Sequence, residues 1–160
     1  MAMAITVGQF LCAHHIDFSV AHHRHTDTSF SSAVSAHVPA ANVTKAVLLK
    51  TVADEYLLAV VPANRRVMVD KVNMLTGKVY TLVAEHELAE VFQDCEPGAI
   101  PSLGPAYSIP MLVDDALIDR DEWFMEAGDH ENLIHLDKKQ FMKIIQDCQH
   151  RNISSYAMPS

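Results

Sequence analysis

The chain has 160 residues, three cysteines and a formal net charge of -8. That length fits one domain with one core, and the longest apolar runs, Ala46 to Leu49 and Tyr56 to Pro62, are far too short to span a membrane. The acidic balance excludes a protein that tracks phosphates over a long basic surface, and leaves room only for a local basic patch or for contact with the end of a nucleic acid.

Cys12, Cys95 and Cys148 are widely spaced and odd in number, which argues against a disulfide framework and for a reducing compartment. The start, Met-Ala-Met-Ala, has neither the basic region nor the apolar run of a signal peptide, so a cytoplasmic protein is expected.

In chain order, Val7, Phe10, Leu11 and His14 recur at helical spacing and predict a helix over 6–15, and residues 17–22 alternate like a strand. Thr26, Asp27, Thr28 and Ser29 offer several N-caps for a small-residue helix that runs to about His37 and stops before Pro39. Val43 to Thr51 and Tyr56 to Val61 are two β-branched, Leu-rich runs around a turn at Ala53, Asp54 and Glu55, the pattern of an antiparallel hairpin. Residues 65–75 read as a helix stopped by Gly77, 79–83 as a short strand, and 85–92 as an amphipathic helix with Leu88, Val91 and Phe92 on one face.

Residues 94–110 hold four prolines and two glycines, which precludes regular structure and predicts a long ordered loop of the kind that carries function. Strands are expected at 109–113, 122–126 and 133–136, followed by a helix capped by Asp137 that turns Phe141, Ile144 and Ile145 inward and ends near Cys148. A frayed tail is expected from about residue 152. Several strands are joined by turns rather than crossover helices, so the fold class is α+β, with a mixed, largely antiparallel sheet packed by helices.

Lys45 shares its strand face with Val43, Val47 and Leu49, so its amine either snorkels to solvent, meets an anion or serves a pocket. The stretch Gly98-Ala99-Ile100-Pro101-Ser102-Leu103-Gly104 either presents backbone N–H groups to a carbonyl or phosphate or is a rigid surface crossing. His14, His15, His22, His23 and His25 form a His-rich start, but adjacent members diverge and no Cys or acidic residue completes a metal-ligand spacing; no metal and no cofactor are expected. His25, beside the Thr/Ser-rich helix start, is a candidate pocket residue, and His130 and His135 are open to either reading. Cys95 at the mouth of the loop is a candidate nucleophile or a small buried hydrophobe. Arg65, Arg66 and Lys71, and separately Lys138, Lys139 and Lys143, either meet phosphates or form solvated faces.

Taken together, these segments resemble the YbaK/ProX family, the prolyl-tRNA synthetase-associated or INS-like editing domain, over roughly positions 5–146. The resemblance is carried by His25-Thr26-Asp27-Thr28-Ser29, by the strand Val43-Thr44-Lys45-Ala46-Val47-Leu48-Leu49, by the loop 94–104 with the strand and Asp114-Asp115 that follow, and by the glycine turn Glu126-Ala127-Gly128-Asp129-His130. It implies a mixed sheet partly curled into a barrel with helices around it. It also implies an aminoacyl-tRNA deacylase acting on the acceptor end of a mischarged tRNA, with an aminoacyl-tRNA synthetase as a further partner.

By the same resemblance Lys45 would be the catalytic residue, orienting the aminoacyl group. The loop Gly98, Ala99, Ile100, Pro101 and Ser102 would hold the carbonyl or terminal ribose, with His25, Thr28, Gly128, Asp129 and His130 facing the pocket. The family loop is often Gly-x-x-x-Pro; here Ser102 stands in the fifth position and Pro101 one residue earlier. That departure favours the alternative of a non-catalytic module binding an aminoacyl-like ligand or a synthetase. A metal- or cysteine-dependent hydrolase is the third reading.

Overall fold

The computed structural model describes residues 3–156. Helix α1 (Ile5–Ala13) buries Val7 and Leu11, strand β1 (Ser19–His22) follows, and α2 (Ser29–Ala36) starts where the Thr28 hydroxyl accepts the Ser31 N–H. Its end is set by His37 in the left-handed region, before Pro39 is reached. Strands β2 (Thr44–Lys50) and β3 (Tyr56–Pro62) form the expected hairpin, with Asp54 at positive φ in the turn.

Residues 65–75 differ from the helix expected there. Arg65–Val67 is a short strand, β4, and the helix α3 is Val69–Thr76, closed by Gly77 at φ 73°. The chain continues through β5 (Thr81–Leu82), α4 (Glu85–Val91), the long loop with one 3-10 turn at Gly104–Tyr107, and β6 (Met111–Asp114). It then runs through β7 (Glu122–Glu126), β8 (Asn132–Asp137) and α5 (Lys138–Ile145), whose N-terminus is capped by the Asp137 carboxylate accepting the Gln140 N–H.

The tail is ordered where fraying was expected. β9 (Gln149–Arg151) pairs parallel to β6, and β10 (Ser154–Tyr156) pairs antiparallel to β4. The cause is long-range: the buried Asp114 carboxylate accepts the Ile153 N–H at 2.9 Å and the Ser154 hydroxyl at 2.8 Å, and Ile153 itself is fully buried. A single apolar residue in a polar segment leaves no periodicity to read. Residues 157–160 of the expected frayed segment lie outside the described residues.

The strands form a five-stranded sheet in the order β5-β2-β3-β6-β9, a three-stranded sheet β1-β8-β7 and the pair β10-β4. All named pairings are antiparallel except β3–β6 and β6–β9. An isolated parallel bridge between Val43 and Phe124 ties β2 to β7, and the described sheets do not close into a barrel. β3 is buried on both faces, as its uninterrupted apolar run requires. Leu48 and Leu58 face a large core shared with α1, α5 and Trp123, whereas Leu49, Ala59 and Val61 face a second core with Val72 and Ile153.

One buried hydroxyl pair fixes the loop to the sheet. The Thr44 and Ser102 hydroxyls meet at 2.7 Å, both almost fully buried, and lock the Pro/Gly loop onto the first residue of β2. Behind the loop, Glu126 at the end of β7 is buried, and neither carboxylate oxygen has a full hydrogen-bond partner among the described residues. Burial pushes its carboxyl up to about 7; the Ser32 hydroxyl beside it offsets part of this and the Asp129 charge adds to it.

Two stability predictions follow from these groups. Ser102→Ala leaves a buried Thr hydroxyl without its short partner and is expected to cost about 1–3 kcal/mol, read as a lower urea midpoint at unchanged slope. For Glu126 the folded-state value lies above the unfolded one. The folded chain therefore holds the extra proton between about pH 4.5 and pH 7, and stability falls as pH rises through that window. Wild type is expected to lose about 3 kcal/mol relative to Glu126→Gln between pH 4 and pH 8, measured by urea unfolding of both proteins at the two pH values.

Candidate functional site

Pairing of β2 with β5 begins only at Leu49, with one further bond from the Val83 N–H to the Leu48 carbonyl, and the bridge to β7 ends at Val43. Between these points the outer edge of β2 has no strand beside it, and a cleft of about 330 Å³ lies there. Four consecutive residues, Lys45, Ala46, Val47 and Leu48, line it. Alternate residues of a strand point to opposite faces, so consecutive lining residues mean that the cleft runs along the strand edge rather than over one face. Its other walls come from the start of α2 (Asp27, Thr28, Ser29), from Val83 and Leu88 around the start of α4, and from Gly98 and Ile100 of the Pro/Gly loop.

Lys45 is half-buried, and its amine donates to the Arg65 carbonyl at 2.6 Å. Burial lowers its pKa. The side chain thus neither extends into bulk water nor pairs with a carboxylate. One donor position is taken by the protein, and an ammonium has two more. Asp27 and Glu85 bring carboxylates to the same cleft, while Ala46, Val47, Leu48, Val83, Leu88 and Ile100 make most of the wall apolar.

Gly98 has φ 81°, and a Cβ there would stand 2.8 Å from the Asp27 carbonyl oxygen and 3.1 Å from His130 Nε2. The loop therefore packs against α2's leading segment as only glycine allows. Several contacts hold it in place. His130 Nε2 donates to the Pro97 carbonyl at 2.7 Å, which puts a ring proton on that nitrogen, and the Glu96 N–H donates to the Gly128 carbonyl at 2.8 Å. On the outside, His25 and Glu96 pair at 2.9 Å, and the hydrogen bond that the exposed His25 ring donates to the Glu96 carboxylate raises its pKa. Gly98 and Ile100 have no backbone acceptor for their N–H groups among the described residues.

Of the residues singled out in the sequence, Lys45, Thr28, Gly98 and Ile100 line the cleft together. Ala99, Pro101 and Ser102 are buried behind its wall. Gly128, Asp129 and His130 form the turn that backs the loop. Gly128 has φ 103°, the Asp129 carboxylate accepts the Glu131 and Asn132 N–H groups at 3.0 Å, and His130 reaches the loop rather than the cleft. Asp27, Val83, Glu85 and Leu88 were not foreseen. Asp27 sat inside a segment that read as N-cap choices, and the other three reach the cleft through the β5–α4 connection, whose position no local pattern encodes.

The remaining candidates resolve into structural contacts. Cys95 stands 3.4 Å from the Tyr107 hydroxyl and 3.6 Å from the Asp94 carboxylate, and burial pushes its thiol up to about 12, far from the thiolate a nucleophile needs. Arg65 donates to Ser154 and stacks over Tyr156 at 4.3 Å, so it fastens β4 to β10. Lys71 reaches Asn152, and Lys143 donates to the His15 carbonyl. Among the described residues, no three His, Cys, Asp or Glu side chains gather as a metal-ligand set.

Comparison with known proteins bears on this geometry. The sequence model of the aminoacyl-tRNA editing domain matches residues 23–144, which include every cleft residue named above. No curated protein matches the chain. Among solved structures, hypothetical protein APE2540 is similar with a TM-score of 0.81 and 18% identity, covering 94% of this chain and 99% of its own. A candidate trans-editing enzyme for prolyl tRNA synthetase superposes with a TM-score of 0.79 and 18% identity, over 95% of this chain and 96% of its own. A scaffold protein used to present grafted linear epitopes has a TM-score of 0.80 at 16% identity, over 96% and 97%. At such identities the structures establish a shared fold, and that fold also serves a protein engineered to another end. The match to the family model, over well beyond half of the sequence, establishes more: the chain belongs to the aminoacyl-tRNA editing domain family, the YbaK-like group that its motifs resemble.

Proposed function

We propose that this chain hydrolyses the ester joining a misattached amino acid to the 3′ end of a tRNA, and that the cleft beside β2 holds the aminoacyl group. The main support is that Lys45, Gly98 and Ile100 line one cleft whose remaining wall is chiefly apolar. In this reading the apolar wall takes the amino-acid side chain. The Lys45 amine, steadied by the Arg65 carbonyl, orients the ester through its remaining donor positions. The Gly98 and Ile100 N–H groups are available to a carbonyl oxygen that gains negative charge as water adds. The water oxygen bonds to the carbonyl carbon, the bond from that carbon to the ribose oxygen breaks, and the ribose oxygen takes the proton. Free amino acid and uncharged tRNA leave. Contact with the acceptor end alone is compatible with a net charge of -8.

The wider family assignment brings aminoacyl-tRNA as the substrate class, and the neighbour described for prolyl tRNA synthetase suggests a link to a synthetase. The amino acid we infer is one with a small or medium apolar side chain, since Ala46, Val47, Leu48, Val83, Leu88 and Ile100 make most of the wall apolar.

A deacylation screen across a full set of mischarged tRNAs is expected to show release of at least one amino acid. Lys45→Ala should slow that release about a hundredfold or more with an unchanged circular dichroism spectrum. Wild-type protein that leaves every ester intact while binding an aminoacyl-adenosine analogue would replace the hydrolase with a binding module. Gly98→Ala is expected to lower activity as well, because its Cβ meets the Asp27 carbonyl at 2.8 Å and its φ of 81° is strained for alanine. A stability loss of about 1–2 kcal/mol should accompany it, read by thermal unfolding beside the assay.

A further inference from the structure

A second concave surface lies on the other side of the α2 start. It is a groove of about 520 Å³ lined by Arg24, Thr26, Phe30, Ser31, Val34, Ser35 and His37. Phe30 is 50% exposed and Val34 61%, and they stand one helical turn apart on the outward side of α2. Neither packs into a core. The Arg24 guanidinium has no carboxylate or hydrogen-bond partner among the described residues, and no carboxylate lines the groove. In a chain of net charge -8, this is a local region where the balance is positive. It absorbs part of the His- and Arg-rich start that the cleft leaves unused.

We infer that this groove seats the unpaired 3′-terminal nucleotides of the RNA whose aminoacyl group occupies the cleft, with a base stacked on Phe30 and a phosphate beside Arg24; the inference rests on the function proposed above. Three observations select this occupant. An exposed aromatic next to an arginine supplies the base-stacking and phosphate contacts with which proteins hold single-stranded nucleic acid. The charge of the groove is complementary to a polyanion, whereas the rest of the chain carries the acidic excess. The groove and the cleft also flank the same helix start, since Thr28 and Ser29 line one and Phe30 and Ser31 the other. From Phe30 to His37 the groove runs about 10 Å along the helix, room for one or two nucleotides. Ser31 and Ser35 add hydroxyls that suit ribose and phosphate oxygens.

The test is a fluorescence anisotropy titration of the full chain with a labelled RNA hairpin carrying a short single-stranded 3′ overhang, against the same hairpin with a blunt end. The overhang is expected to bind more tightly. Phe30→Ala should raise its Kd about tenfold, and Phe30→Tyr should restore it. Arg24→Ala should weaken binding and reduce the slope of log Kd against log salt by about 0.7. Met74→Ala, a change at an exposed apolar residue of α3 remote in sequence from the groove, should alter nothing. Equal affinity for the two hairpins, or Phe30→Ala indistinguishable from wild type, overturns the inference, and the exposed Phe30–Val34 face is then a protein-docking surface instead. The two proposals separate cleanly. Wild type that deacylates while the variants keep their Kd removes the groove and leaves the hydrolase; overhang binding without hydrolysis of any ester does the reverse.

Discussion

Beneath the cleft, the hydroxyls of Thr44 and Ser102 meet at 2.7 Å with almost no access to solvent. This bond joins the two segments whose relative position the site needs, the strand that carries Lys45 and the loop that carries Gly98 and Ile100. A buried hydroxyl pair is a demanding joint, because removing one partner leaves the other desolvated, with only the long 3.5 Å bond to the Phe124 carbonyl remaining to Thr44. It therefore holds a narrow range of geometry. Lys45 follows Thr44 directly, so the position of its backbone relative to the loop is inherited from that bond.

The loop needs support from the other side as well, since a Pro- and Gly-rich segment has no secondary structure to stiffen it. The β7–β8 turn supplies it, through His130 to the Pro97 carbonyl and through the Gly128 carbonyl to the Glu96 N–H. Asp129, which closes that turn on itself, and Glu126, buried just before it, put two carboxyls behind the loop at the expense of desolvation. Buried ionisable groups are costly unless paired. Their presence here fits a region where a defined backbone arrangement outweighs maximal stability.

Much of this was legible in the sequence. The hairpin of β2 and β3, the Thr28 cap of α2, the Asp137 cap of α5 and the Gly77 stop of α3 all depend on neighbours within a few residues, and local pattern found them. The strand β4 and the ordered tail were not legible. Arg65–Val67 becomes a strand only because residues 154–156 lie beside it, and those residues lie there because Asp114, about forty positions earlier, holds them. At the site, Lys45 and Gly98 were found through unusual residue types in unusual places. The direction of Gly128, Asp129 and His130 was not, since a glycine turn near a pocket reads the same whether it lines the cleft or braces its wall.

The stretch of β2 between Val43 and Leu49 has a backbone edge with no strand beside it. An exposed edge rich in Ala, Val and Leu is a template for pairing with a second copy of the chain, and a lysine on such an edge is a common deterrent. A lysine at position 45 therefore bears on strand pairing as well as on the role proposed for it in the cleft. Replacing it with a small neutral residue alters both at once, and a loss of chemistry in such a protein has to be separated from self-association by checking that it stays in the same oligomeric state as the parent.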